Sequence, residues 1–561
     1  MATFISFPPL AGMHVKHQVR TTPDPFFFLN TNLGMKTLIE FASDQMLTQL
    51  LVKERAKCLR RNRSDKHHRL DKNCELDELS TRKMLSRMMP PRSTWVRPSK
   101  RKNLSKGSAG ARKLAEKALS LTIKRDKEQW QNGETFGYLD ELHAFFDRIR
   151  LRLSEGQLQL ESPHLMPILK DKKKLEDGTW KVTCRPLSVY AKLDDKVILA
   201  LTSRYLSRYF NRYLHENILS YRPARDFQGE KHHVTDFNDG ILLIKAFRKE
   251  HDSERIYAAD CDIKKFYDII PHKVVRGCFR RMLDTSRLNE DGKGQVMRVL
   301  DAYLNSYNFY TNALKESQDH PAVFGKVQRK LHDYGQKNTY LIGKVDIPDE
   351  EYRQRGVAQG GALSLQVANI VLNDVDNVIV NEPDKNRLFV RYCDDMILLH
   401  TNYDECCRLM DLYARSLTDH GLFYHDFEQV SESKCRPAEG ELAVATTNHF
   451  WKTKSHLPYL WGKGEGNSNF YVGFLGYEIR RDGHMRLRKS NIERFDEKFV
   501  RLRYALRRYR KKHTEEEYLT HRKQVLDKMM KGVEVYTAFD LEQFKRHAQY
   551  RHLEKQRRRI G

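Results

Sequence analysis

Two adjacent carboxylates, Asp394 and Asp395, stand between apolar residues in Arg391-Tyr392-Cys393-Asp394-Asp395-Met396-Ile397-Leu398-Leu399. Burying two like charges side by side is costly. A tight hairpin would push them to a surface where divalent cations can neutralise them, and magnesium prefers carboxylate oxygens with phosphate and water. A third carboxylate, Asp262, ends the run Ala259-Asp260-Cys261-Asp262. A strand that stops there and turns into a helix presents Asp262 at its C-terminal edge. Two metal ions held between Asp262 and Asp394 would activate a 3′-hydroxyl and stabilise a leaving pyrophosphate. The plainer readings are an exposed acidic turn for the pair and, for Asp262, a helix N-terminus with favourable dipole contacts. A Tyr-x-Asp-Asp string is weak by itself.

The surrounding pattern supplies elements able to position these groups. Arg255 to Ile263 reads as a strand, and Leu388 to His400 as two short strands around Cys393-Asp394. Val367 to Val380 reads as a helix. Residues 175–190 read as a hairpin turning at Asp177-Gly178. Leu193 to Leu219 has helical spacing of Ile198, Leu199, Leu201, Tyr205, Leu206, Tyr209 and Phe210. Helical patterning is also expected over 36–90, 111–160 and, with many basic residues, 491–561. Residues 1–35 read as an irregular arm, and Ser105, Gly107, Ser108 and Gly110 mark a flexible linker. No repeat of fixed period is found.

The 561 residues carry a net formal charge of +26 and a pI near 9.5. Each Lys or Arg that neutralises a phosphate releases a counterion, so this surplus favours a nucleic-acid partner. A spanning helix needs an apolar run of roughly 18 residues, and none occurs, so no membrane role is expected. Met1 to Gly12 lacks the basic start and long apolar stretch of a signal peptide. The nine cysteines include no C-x-x-C pair and read as reduced core residues. These features point to the cytoplasm.

The motifs and their order resemble bacterial reverse transcriptases of the group II intron-like lineage. Asp262-Ile263-Lys264-Lys265-Phe266-Tyr267-Asp268 is similar to motif A. Gly356-Val357-Ala358-Gln359-Gly360-Gly361-Ala362-Leu363-Ser364 is similar to motif B, and Tyr392 to Asp395 to motif C. Phe474-Leu475-Gly476 resembles the primer grip. Arg185-Pro186-Leu187-Ser188 and Tyr221-Arg222-Pro223-Ala224-Arg225 resemble the first finger motifs. The resemblance covers about residues 165–500. It departs at Ala358 and Leu365, where proline is common.

The resemblance implies an α+β right-hand polymerase: fingers over 131–255, a palm with an antiparallel sheet packed on helices over 256–485, and a helical basic thumb-like region over 486–561. A basic, mainly helical extension would occupy 1–130, and an insertion would lie near 283–350. It implies catalytic roles for Asp262, Asp394 and Asp395, with the backbone carbonyl of Ile263 completing a metal site. Magnesium is the implied ion and manganese the alternative. Tyr267 would exclude a 2′-hydroxyl. Gln359 and Gly360 would lie beside base and template, and Arg185 and Lys181 would meet the triphosphate. Lys434 would be the general acid, with Lys452 and Lys454 as rivals.

Only about 70 residues follow Ser490, too few for both a maturase and a nuclease domain. A stand-alone enzyme with a long N-terminal region most resembles the defence-associated and abortive-infection reverse transcriptases. The implied activity is RNA-directed DNA synthesis from dNTPs on an RNA template, a dedicated noncoding RNA by analogy, in antiphage defence. A homo-oligomer is compatible with this. The alternatives are an RNA-dependent RNA polymerase and an RNA-binding splicing or maturase-type cofactor.

Overall fold

The structure is a computed structural model. It describes residues 35–64, 81–97, 108–174, 176, 180–220, 222–225, 231–234, 237–315, 338–341, 347–348, 350–381, 383–430, 453–462, 468–535, 545–546 and 548–560. The fold is mixed α+β. At its centre is a sheet in the order Ser468–Asn469, Ser455–Trp461, Tyr257–Asp262, Asp395–His400, Arg387–Tyr392, with Phe427–Glu428 paired to the Ser455 strand. The three strands from Tyr257, Asp395 and Arg387 pair antiparallel without a register break.

Both faces of this sheet are covered, which explains the unbroken apolar run Met396 to Leu399. Successive side chains alternate between faces. Ala259, Cys261, Phe389, Met396 and Leu398 enter one core, with helices His272–Asp284, Glu290–Asn305, Ser364–Val380 and Tyr403–Asp419. Leu47, Leu51, Leu119 and Ile123 from the N-terminal helices join that same core. Ala258, Leu388, Val390, Ile397 and Leu399 enter a second core. There they meet the helix Phe237–Glu250, the sheet Tyr471–Phe474, Tyr477–Arg480, Met485–Leu487, and the helix Lys489–Arg510. Fully burying each such aliphatic side chain contributes about 1.5–3 kcal/mol.

Local signals set the helix starts. The Asn402 side chain accepts from the Glu405 N–H, and Asp404 and Glu405 occupy the first turn of Tyr403–Asp419, where the helix dipole favours negative charge. Among the described residues no helix is long and apolar enough to cross a membrane.

Some elements differ from expectation. The hairpin is longer than 175–190 and begins earlier: His164–Lys174 pairs antiparallel with Trp180–Val189. Its first strand ends in Lys170-Asp171-Lys172-Lys173-Lys174, which has no apolar alternation to betray it. Its turn at Asp177-Gly178 lies outside the described residues. The helix from Leu193 stops at Tyr209 rather than Leu219. The buried Arg222 guanidinium gathers the carbonyls of Asn211 (2.9 Å), Leu214 (3.2 Å) and Ile218 (2.7 Å), so these oxygens are held out of a helical ladder. From the region expected to be an insertion, Asn338–Leu341 joins Trp180–Val189 as a third, parallel strand.

Candidate active site

The sheet brings the three carboxylates together. Asp262 and Asp395 are direct antiparallel partners, and Asp394 occupies the turn that follows Tyr392. Directly opposed residues project to the same face with Cβ atoms about 4.5–5.5 Å apart. Asp395 shares its face with Ile397 and Leu399, so the pair points toward the side occupied by the Tyr471–Phe474 sheet and the start of the helix Lys489–Arg510.

The turn holding Asp394 is strained and fastened. Cys393 has φ +58°, uncommon for a residue with a side chain. Such a conformation persists only where surrounding contacts over-determine it. Here the Cys393 N–H donates to Ser220 Oγ, and Arg391 Nη1 donates to the Cys393 carbonyl at 2.8 Å. Residues 217–219 run beside the Arg391 strand, with Leu219 N–H donating to Arg391 O at 2.9 Å and Arg391 N–H to Asn217 O at 3.1 Å. Burial pushes the Cys393 thiol up to about 11, which excludes it as a thiolate nucleophile at neutral pH.

Burial and, after it, like charge set the electrostatics of Asp395. Asp395 keeps solvent contact, but crowding by surrounding protein, then the charges of Asp394 and Asp262, push its pKa up to about 7. Solvent screens part of this repulsion. Arg488 and Lys454 oppose it. Lys454 Nζ lies 2.8 Å from Asp262 Oδ2, and His425 Nε2 is 4.0 Å from the same oxygen. Three convergent carboxylates whose ionised forms repel are an all-oxygen donor set suited to Mg2+ or Mn2+. Ile263, next in sequence, forms a bridge with Tyr424.

Around this centre the loop 356–361 and the hairpin close one side. Val357 N–H donates to Tyr267 O at 2.8 Å and Gly356 N–H to Ile270 O at 2.9 Å. Ser188 N–H donates to Gln359 O at 2.8 Å, while Gln359 Nε2 donates to Asp268 Oδ1 at 2.6 Å. Gly360 has φ +83°, a conformation that favours glycine, and a Cβ there would sit 2.2 Å from Leu187 Cδ1, so a side chain would be strained and would force Leu187 of the hairpin to shift. Arg185 is exposed and two residues from Leu187, hence on the same face of its strand. Lys181 is fixed by its backbone register opposite Lys173 and Thr339.

Tyr267 is half-buried; burial first, and then the neighbouring Cys393 and Asp394, hold its phenol well above its usual range. Its ring is therefore neutral, packs against the first core and is within electrostatic reach of the carboxylate turn. Phe474 is buried in the second core, and Leu475-Gly476 form a left-handed turn with φ +49° and +87°. That turn is tied to the next helix by Arg488 N–H and Asn491 Nδ2, each 3.0 Å from Gly476 O. Lys434 and Lys452 lie outside the described residues.

Several contributors were not singled out in the sequence: Ser220, Arg488, Ser455, whose Oγ accepts from Asp262 N–H at 3.0 Å, and Tyr303, which acts with Ser364 of the motif B string. Tyr303 OH and Ser364 Oγ both donate to the Ala358 carbonyl. They stiffen the loop at the position where proline is common in the resembled motif. Ala358 was the visible departure and Ser364 lay in the same motif, but Tyr303 and the contact of both hydroxyls with the Ala358 carbonyl were not visible.

No protein-family model and no curated protein matches the chain. Among solved structures, apo telomerase from Candida tropicalis truncated from its C-terminal domain matches at TM-score 0.31 and 14% identity, over 58% of this chain and 55% of that chain. Apo telomerase from the same organism matches at TM-score 0.33 and 14% identity, over 60% and 48%. Telomerase from Candida albicans, in complex with a fragment of telomeric RNA, matches at TM-score 0.31 and 13% identity, over 81% and 73%. The chain thus spans about half the length of the two apo telomerases it matches.

Proposed function

We propose that the chain is an RNA-directed DNA polymerase whose palm is the central sheet. The observation that carries this reading is the direct pairing of Asp262 with Asp395, with Asp394 in the adjoining turn. Asp262, Asp394 and Asp395 would hold divalent ions, which when bound would supply Lewis-acid activation of a 3′-hydroxyl and neutralise a departing pyrophosphate. The chain's own groups do the rest. Loop 356–361, clamped by Ser188, Tyr303 and Ser364, offers a rigid floor for a base pair. Arg185, on the face that meets this loop, is a donor for triphosphate oxygens. Lys454, beside Asp262, is the described lysine best placed to deliver a proton near the leaving group.

Tyr267, at the position the resemblance reads as a steric gate and within electrostatic reach of Asp394, favours deoxynucleotides over the RNA-polymerase alternative. Comparing dNTP and rNTP incorporation by the protein and by Tyr267→Ala tests this. The expected result is a dNTP preference that relaxes in the variant; an rNTP preference in the unaltered protein would sink the DNA-polymerase reading. On the sequence resemblance alone, we extend the proposal to a dedicated noncoding RNA template and to antiphage defence. Sequencing the nucleic acid that co-purifies from the host tests that extension, and bulk cellular RNA without a matching DNA would refute it.

A further inference from the structure

A second cluster lies on the helical layer behind the sheet. Cys278 is on His272–Asp284, Asp374 is on Ser364–Val380, and His420 caps Tyr403–Asp419. One donor atom from each lies within 4.8 Å of the others. We infer that Cys278, Asp374 and His420 form a binding site for a divalent transition-metal ion, zinc by ligand type, which staples three helices distant in sequence.

The geometry suits the ion. A tetrahedral zinc with Zn–S of about 2.3 Å and Zn–O or Zn–N of about 2.0 Å sets S···O near ~3.5 Å and N···O near ~3.3 Å. Here Cys278 Sγ is 3.6 Å from Asp374 Oδ2, and His420 Nε2 is 3.0 Å from that oxygen. The ring is oriented as a ligand's would be. His420 Nδ1 lies 2.7 Å from the Ser416 carbonyl, which can only accept, so Nδ1 carries a proton and donates. Metal-bound histidines commonly donate their other ring N–H to such a backbone carbonyl. Nε2 faces Asp374 Oδ2 as the protonated half of an ion pair, which raises the His420 pKa, and a bound metal cation would take the place of that Nε2 proton.

Arg281 stands in for that cation. Its Nη2 bonds Asp374 Oδ2 and lies 3.3 Å from Cys278 Sγ. The Arg281 side chain is 59% exposed, so it can swing into solvent when a metal enters. The thiol proton of Cys278 and the Nε2 proton of His420 then pass to water, as metal binding requires. Thiolate and carboxylate together balance a 2+ ion, leaving Arg281 without an electrostatic role.

The test is a titration of the full chain, freed of metal by a chelator, with Co2+ alone. One equivalent should produce thiolate-to-cobalt charge-transfer absorption and raise Tm, and Zn2+ should displace it. Cys278→Ser should abolish the absorption, His420→Gln should weaken binding at least tenfold, and Arg281→Met should tighten it. Circular dichroism checks that each variant is folded. His420→Gln keeps the test decisive should the cysteine variant not fold. Absence of the band at one equivalent, its survival in Cys278→Ser, or unchanged affinity in His420→Gln would each overturn the assignment.

Discussion

Arg391 and Asp395 lie on paired strands four residues apart, yet their charges meet opposite surroundings. Arg391 and Asp376 are both fully buried and paired, Nε to Oδ2 at 2.6 Å. Burial pushes Asp376 up to about 6 even with a guanidinium against it. Asp395 stands with two further carboxylates, partly open to solvent, and is pushed up to about 7. The first group is closed: its charge is spent on holding the Cys393 carbonyl and hence the turn. The second group is open: its negative charge is concentrated at a surface without internal balance of the same completeness. The difference separates a charge that shapes the site from charges that can act on a ligand.

Substitutions can sharpen this contrast. The largest effect is expected at the open group: Asp262→Ala should lower nucleotide incorporation by more than ~10²-fold, the scale set by removing one preorganised electrostatic stabiliser, with little change in the denaturant midpoint. Incorporation within a few-fold of the unaltered protein would break the contrast. At the closed group the balance should invert. Arg391→Met leaves Asp376 buried without its partner and should cost about 3–5 kcal/mol, seen in urea unfolding. Adding Asp376→Leu should recover much of that loss.

Gly360→Ala should cost about 1–3 kcal/mol through overpacking against Leu187 and should weaken dNTP binding. Leu187→Ala in the same chain should relieve part of the effect, as a double-variant cycle would read.

A pH series follows from the raised Asp395. Its folded pKa of about 7 lies above its ordinary value of 3.8. The native state therefore holds that proton more tightly, and the associated stability, full below the ordinary value, is lost as pH rises through about 7. Asp376 acts in the same direction up to about 6. Tm should fall between about pH 4 and pH 7, Asp395→Asn should flatten the upper part of the fall, and Mg2+ should raise Tm more at pH 8 than at pH 5. The smallest stability effect is expected for Lys454→Ala, under ~1 kcal/mol for a side chain mostly in solvent. Its measurable signature is a changed pH dependence of incorporation.

The sheet strands were legible because Met396 to Leu399 is an apolar run bounded by charge and Tyr257 to Cys261 is apolar apart from Asp260, while the pairing of Asp262 with Asp395 came from the sheet register. The hairpin's first strand was not legible, because a lysine-rich run hides its pairing. Nor was the fastening of the turn: Ser220 lies 173 positions from Cys393, and nothing in its local sequence marks it. Likewise Lys454 comes within reach of Asp262 only because the Ser455 strand pairs beside Tyr257–Asp262. Local pattern reports elements; contacts across the sheet need the fold.

The most direct measurement is Mg2+-dependent dNTP incorporation on an RNA template by the protein and by Asp394→Ala with Asp395→Ala, together with RNA retention by each. The account predicts synthesis by the first, none by the second, and equal RNA retention. Undiminished synthesis by the double variant would contradict it.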